Sequence, residues 1–278
     1  MAFADVKPIA QTVDILPPSP TSTISGQREI LVPQLTAMSQ TSAHSTGVFY
    51  AYAKHIRDDS TSRYLITFAT RDIADTWYRS VTDSVAAGFK KFANVKRVSL
   101  QFYTFDNDEG NIRETITDSK VAPALHGQVF FTLLNDRDQR ILSMIPVLNY
   151  RDHINGDSFS IRSVTQPDTY WYYDTSSNTV LAHRSRRSLF TITIADSQRA
   201  LGAVIIGTDQ IFITTATTGV NIGVNCDENR LNRSANPFSI SFSSFKKDFY
   251  IGYWEDDHPS NLGPIIRSPG KGEMWELV

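Results

Sequence analysis

The sequence predicts a mainly β protein with one α+β region near its middle. Three observations carry that prediction. Apolar residues recur at a four-residue spacing once, at Ile73, Trp77, Val81, Val85 and Phe89, which places them on one face of a helix. Short β-type runs, rich in aromatic and branched residues, recur after Tyr150 at roughly ten-residue intervals, as in all-β sandwiches and barrels. Three segments of that second half also share one shape, which is the signature of a repeated unit.

Taken in order, residues 1–45 read as a flexible arm. Pro8, Pro17, Pro18, Pro20 and Pro33 stand among Ser, Thr and Gln, so the chain there is expected to be extended and solvated, with Glu29 to Pro33 the one segment that could add a short strand. Residues 46–142 read as an α+β domain. Strands are expected at 47–53 and 63–69, joined by a turn at 58–62. The helix follows, with Thr70 as its cap, Asp72 at its positive end, and Trp77 as core packing. A strand is expected over 95–105, with Val98, Leu100 and Phe102 facing inward, and others over 129–134 and 141–148. Residues 143–278 read as a β domain with runs at 158–164, 169–173, 179–182, 188–194, 203–206, 210–214, 219–224, 237–242, 249–253, 264–266 and 274–277, and with no helical period competing.

The repeated shape is a strand, a polar turn, a short strand ending in Arg-Ser, and a closing aromatic-polar-aliphatic run. It occurs as Tyr170 to Tyr173, Val180 to Ser185 and Leu189 to Ile192; as Val220 to Val224, Leu231 to Ser234 and Pro237 to Ile240; and as Phe249 to Tyr253, Ile265 to Ser268 and Met274 to Leu277. One such unit cannot bury its own apolar face, so three are expected to close around a common axis, with Phe190, Phe238 and Trp275 pointing to it. This pattern resembles the β-trefoil of ricin-B-type lectins, fascins and mushroom cytosolic lectins. The resemblance implies a C-terminal β-trefoil-like domain that binds carbohydrate or protein through its loops. The Gln-x-Trp of the ricin-B type is missing, so no sugar-binding residue is carried over from that family. Leu65 to Phe68 followed by Ile73, Trp77 and Val81 also resembles the end of a pleckstrin-homology-like domain, although here more strand follows the helix.

Composition narrows the function. Hydrophobic residues make up 41% of 278, enough for real cores, and the net charge of −2 argues against a dedicated nucleic-acid binder. No apolar run approaches a bilayer span, and no secretory signal is visible; with a single cysteine, this points to a cytoplasmic location. Cys226 sits in an acidic turn that discourages its thiolate, the histidines have no metal-ligand spacing, and Asp106 to Gly110 starts like a calcium loop but has Thr117 where the closing Glu belongs. No phosphate loop, hydrolase elbow or zinc-protease motif occurs. No enzyme, metal or cofactor is therefore expected.

The candidate ligand residues come from the three turns of the repeat. Asp174 and Asn178, Asp227 and Asn229, and Trp254 with Asp256 and His258 each offer hydrogen-bonding groups for hydroxyls, the last set beside an aromatic ring. Arg184, Arg186 and Arg187, with His183, form a basic patch suited to phosphate, an anionic sugar or an acidic partner. The expected partner is thus a glycan or a protein, with self-association possible and no transmembrane segment. The alternative is an intracellular scaffold or regulator whose middle domain binds a protein or a phosphoinositide.

Overall fold

The computed structural model describes residues 47–57, 62–134, 145, 148, 151–253 and 261–278. The expected arm with its segment at 29–33, the strand at 141–148, and Trp254, Asp256 and His258 lie outside the described residues, apart from Ile145 and Leu148. The architecture is mainly β, with two sheets and one long helix, all within one compact unit over residues 40–278.

The first sheet contains β1 (Phe49–His55), β2 (Arg63–Phe68), β3 (Lys96–Ser99), β4 (Phe102–Phe105) and β5 (Val129–Leu134), in the order β3-β4-β1-β2-β5. Every pairing is antiparallel except β1 with β4. The parallel pair requires a crossover, and helix α1 (Arg71–Ala86) lies in it. Thr70 caps that helix as expected, its Oγ1 accepting the Ile73 N–H at 3.2 Å. Trp77 is fully buried among Phe68, Tyr103 and Phe131, and its indole N–H donates to Thr115 Oγ1 at 2.8 Å. The strand expected over 95–105 is a hairpin instead. The chain turns at Leu100 and Gln101, so Val98 is 62% exposed while Tyr103 and Phe105, not Phe102, face the core. The acidic stretch after β4 leads into short 3-10 turns rather than another hairpin, and Asp106 is buried.

Helix α1 buries two faces. Ala74, Trp77 and Val81 join the core of the first sheet. Arg71, Asp75 and Arg79 are buried too: Arg71 and Arg79 reach carbonyls of the second half of the chain, and Asp75 lies between Arg71 and Arg97. Arg79 donates to the Val204 carbonyl and lies 3.4 Å from Asp209. Arg97 bridges Asp75 at 2.8 Å and Asp152 at 2.6 Å, and Asp83 meets Arg199 at 2.6 Å. A four-residue apolar spacing reveals only the first face, because buried arginines and aspartates read as surface.

The second sheet begins with β6 (Ser158–Ser163), β7 (Tyr170–Asp174), β8 (Thr179–His183) and β9 (Leu189–Ile194). It continues through β10 (Gln210–Thr215), β11 (Asn221–Val224), β12 (Leu231–Arg233) and β13 (Ile240–Ser241). After a helical turn, α2 (Phe242–Phe245), come β14 (Phe249–Ile251), β15 (Asn261–Arg267) and β16 (Trp275–Leu277). The pairings β6–β7–β8–β12–β11–β10–β9–β6 close a seven-stranded barrel. The run at 203–206 contributes only a bridge between Val204 and Ile154, and α2 corrects the expectation of no helix here. Ser241 Oγ accepts the Ser244 N–H at 3.2 Å, while Phe242 and Phe245 stack at 5.9 Å inside the core. A Ser cap and an i,i+3 aromatic pair suffice for one helical turn.

Eight of the nine runs of the repeated shape overlap β7, β8, β9, β11, β12, β14, β15 and β16, whereas the run at 237–240 is strand only at its last residue, Ile240, where β13 begins. In the first two units the closing strand pairs with the strand before the unit, β9 with β6 and β13 with β10. In the third, the closing strand β16 pairs with β6, the strand before the first unit, and the Trp275 N–H also reaches the carbonyl of Lys246, just after α2, at 2.9 Å. The middle strands pair with one another in a cycle. The start of β8 meets β12 at Thr179 and Asn232, and Arg230, just before β12, meets the end of β15 at Ile266. The start of β15 meets the end of β8 at Asn261 and His183.

Trp171 occupies the middle of the core, edge-on to Phe190, Phe245, Phe249 and Trp275 at 5.5–6.1 Å. Phe190 and Trp275 are fully buried; Phe238 is only half-buried, packed at the rim of the same cluster with the Arg267 guanidinium over its ring. The expectation of three inward aromatics therefore holds for two of them.

Candidate functional site

The turn between β7 and β8 is built by its own side chains. The Asp174 carboxylate accepts the backbone N–H groups of Ser176 at 3.1 Å and Ser177 at 3.2 Å, and both serine hydroxyls at 2.7–2.9 Å. Partial burial opposes its ionisation, but these bonds outweigh that and hold the carboxyl below its usual range. Asn178 takes the left-handed conformation, with φ 57°, and its Oδ1 accepts the Tyr173 hydroxyl at 3.0 Å. Asparagine is among the few side chains that tolerate that conformation.

The turn between β11 and β12 repeats this plan. Asn229 has φ 53°, and Asn225 Oδ1 accepts the Asp227 N–H at 2.9 Å. The equivalent of Asp174 is thus Asn225, four residues before the left-handed asparagine, and not Asp227. Asp227 corresponds to Ser176 and is exposed, as are Cys226 and Asn229. In the third turn, Tyr253 is 86% exposed and the Gly252 N–H bonds the Pro264 carbonyl at 2.8 Å.

Neighbouring units are laced through these asparagines. The Asn178 carbonyl accepts the Arg233 N–H at 2.9 Å, and the Asn229 carbonyl accepts the Arg267 N–H at 2.8 Å. Both donors are the arginine of an Arg-Ser pair. In the second and third units the Arg-Ser therefore marks the strand end that docks on the preceding unit's turn. The sequence displayed the signal without this reason for it.

Several buried ionisable groups elsewhere are tied up locally. His55 is buried between an N–H and a carboxylate: Nδ1 accepts the Arg57 N–H and Nε2 lies against Asp106, each at 3.2 Å. The Asp108 N–H, then His55, hold the Asp106 carboxyl below its usual range against the opposing effect of burial. Burial raises Asp152, with Arg97 opposing it. Among the described residues no group of three His, Cys, Asp or Glu could hold a metal ion, and no helix is long and apolar enough to cross a membrane. Two clefts of about 300 Å³ open on the first sheet. One is lined by Tyr52, Lys54, Arg63, Phe102 and Leu134, the other by Arg113, His126, Phe130 and Phe131.

No protein-family model, curated protein or solved structure matches the chain. Its own geometry must carry the functional argument.

Proposed function

We propose that this chain is a non-enzymatic recognition protein whose second half is a β-trefoil-like body that binds carbohydrate through its turns. The observation that carries the reading is the cyclic pairing of β8, β12 and β15, each meeting the next near its end, with two equivalent left-handed asparagines laced to the arginine of the neighbouring unit. In such a body related turns share one frame, an arrangement suited to weak sites whose avidity comes from valency. The ligand residues proposed are Asp174, Asn178, Asp227, Asn229, Trp254, Asp256 and His258. Of these, Asp227 and Asn229 are exposed on their turn, whereas Asp174 spends its oxygens on its own loop and shapes the surface around it. Glycan-array binding of the full chain tests the reading. Binding that weakens when Asp227 and Asp256 become alanine supports it; no signal on any glycan rejects it.

A second reading places binding in the first half, as a scaffold or regulator that engages a phosphoinositide or protein. The specific observation in its favour is the aromatic and basic cleft at Tyr52, Lys54, Arg63 and Phe102. Vesicle binding by the full chain that falls in a Lys54→Gln, Arg63→Gln variant would favour it over the first.

A further inference from the structure

The connection between β8 and β9 carries a feature that the turn residues do not explain. Arg184, Arg186 and Arg187 are all exposed there. Arg184 has a carboxylate, Asp168, at 3.9 Å. Among the described residues, Arg186 and Arg187 have none. Each is laid instead on a tyrosine of β7: the Arg186 guanidinium is 5.5 Å from the Tyr172 ring centre, and that of Arg187 is 5.6 Å from Tyr170. Arg186 also reaches the Tyr172 hydroxyl at 3.5 Å.

The loop beneath them is fixed from inside. His183 is buried, and its Nδ1 accepts the N–H groups of Ser185 and Arg186, both at 3.0 Å. Tyr170 and Tyr172 are two residues apart in one strand, so they share a face at a spacing of about 7 Å. Two guanidinium groups are thereby held side by side, their positions set by ring contacts that leave N–H donors toward solvent. Arg162 lies beside Tyr170 on the adjacent strand, partly neutralised by Glu276 at 2.6 Å. The patch is net positive on a chain whose total charge is −2.

We infer that Arg186 and Arg187 form an anion-recognition site for the sulfate groups of a sulfated glycan. The guanidinium fork matches a tetrahedral oxyanion through paired N–H donors, and two forks at this spacing suit two sulfates on one short saccharide rather than a single isolated anion. Prior stacking on tyrosine lowers the ordering cost of binding. The inference rests on the carbohydrate reading above and names the ligand class for one face of the same body.

The test is calorimetric titration of the full chain with a sulfated heparin-type tetrasaccharide, its chemically desulfated counterpart, and polyphosphate. The expected result is binding of the sulfated form, little binding of its desulfated counterpart, and weaker binding of polyphosphate, which has the oxyanions but not the saccharide that spaces them. Arg186→Gln with Arg187→Gln should weaken it roughly tenfold or more, and Arg186→Lys with Arg187→Lys by less, because charge remains while the fork is lost. Added salt should weaken the wild type more than the glutamine variant. Equal binding of polyphosphate, or sulfated binding unchanged in the glutamine variant, overturns the inference. If the tetrasaccharide fails while unsulfated glycans bind on the array, the inference falls and the carbohydrate reading stands; if nothing saccharidic binds, both fall.

Discussion

Replacing Asp174 by alanine separates a turn-forming role from a ligand-contacting one. The carboxylate accepts two backbone N–H groups at 3.1 and 3.2 Å and two serine hydroxyls at 2.7–2.9 Å. Losing a side-chain cap of this kind costs about 0.5–2 kcal/mol, and a half-exposed turn belongs near 1 kcal/mol. In a body of this size that moves the melting midpoint by roughly 2–4 °C. The sign of the pH dependence comes from the lowered folded-state value, in which the serine hydrogen bonds outweigh burial. Such a group stabilises fully above the unfolded aspartate value of about 3.9, and that contribution is lost as pH falls through the lowered folded value. The Tm gap between wild type and Asp174→Ala should therefore be constant from neutral pH to about 5 and close under stronger acid. Asp174→Asn keeps one acceptor oxygen and should recover part of the gap, without the acid-side closure. Scanning calorimetry across pH reads all three. Equal midpoints at pH 7, or a gap that persists in acid, would refute the turn-forming role. Glycan binding that disappears in Asp174→Asn, with the midpoint nearly kept, would instead make Asp174 a ligand contact.

The clamp between α1 and the barrel should show as coupling: in a double-mutant cycle of Arg79→Met and Asp209→Asn, urea unfolding should give an interaction energy of about 1 kcal/mol, and strict additivity would contradict the clamp. Gly272→Ala drives a Cβ into the Phe249 nitrogen and the Lys247 carbonyl oxygen, so backbone must shift; a loss of about 3 kcal/mol or more in chemical denaturation is expected, and a neutral variant would show that this crossing is loose. At φ 57° and 53°, Asn178→Ala and Asn229→Ala should each be about 1 kcal/mol less stable than the corresponding glycine variants; alanine and glycine behaving alike in thermal melts would contradict the left-handed geometry.

Much of this fold is legible in the sequence because the relevant signals are local. Thr70 before an apolar four-residue spacing marks a helix start, and Trp77 at its centre marks the core. Alternation and turn residues locate the nine runs of the repeat. The failures have physical reasons. Val98 and Phe102 do not take their expected face because a reversal at Leu100 and Gln101 carries no Gly, Pro or Asn. The second buried face of α1 is invisible in the spacing because Arg71, Asp75 and Arg79 are buried by partners distant in sequence. Asp174 and Asp227 look equivalent by residue type, yet the backbone aligns Asp174 with Asn225, since the left-handed asparagine sets the register of each turn.

The same register bears on valency. Aligned on their Arg-Ser pairs, the three units differ in the next two residues: Arg186 and Arg187 in the first unit, Ala235 and Asn236 in the second, Pro269 and Gly270 in the third. The arginine of the pair is a lacing residue in two units, its N–H fixed to a neighbour's asparagine carbonyl, and that role is shared. The two further arginines, laid on the Tyr170 and Tyr172 rings, belong to the first unit only; in the second unit the strand positions of those rings hold Asn221 and Gly223. A repeated frame therefore carries an unrepeated site. Sulfated tetrasaccharide should bind with a stoichiometry of one per chain, even if neutral sugars engage more than one turn. A measured stoichiometry of three would mean that the anion is read by the shared lacing arginines, and the assignment to Arg186 and Arg187 would be wrong.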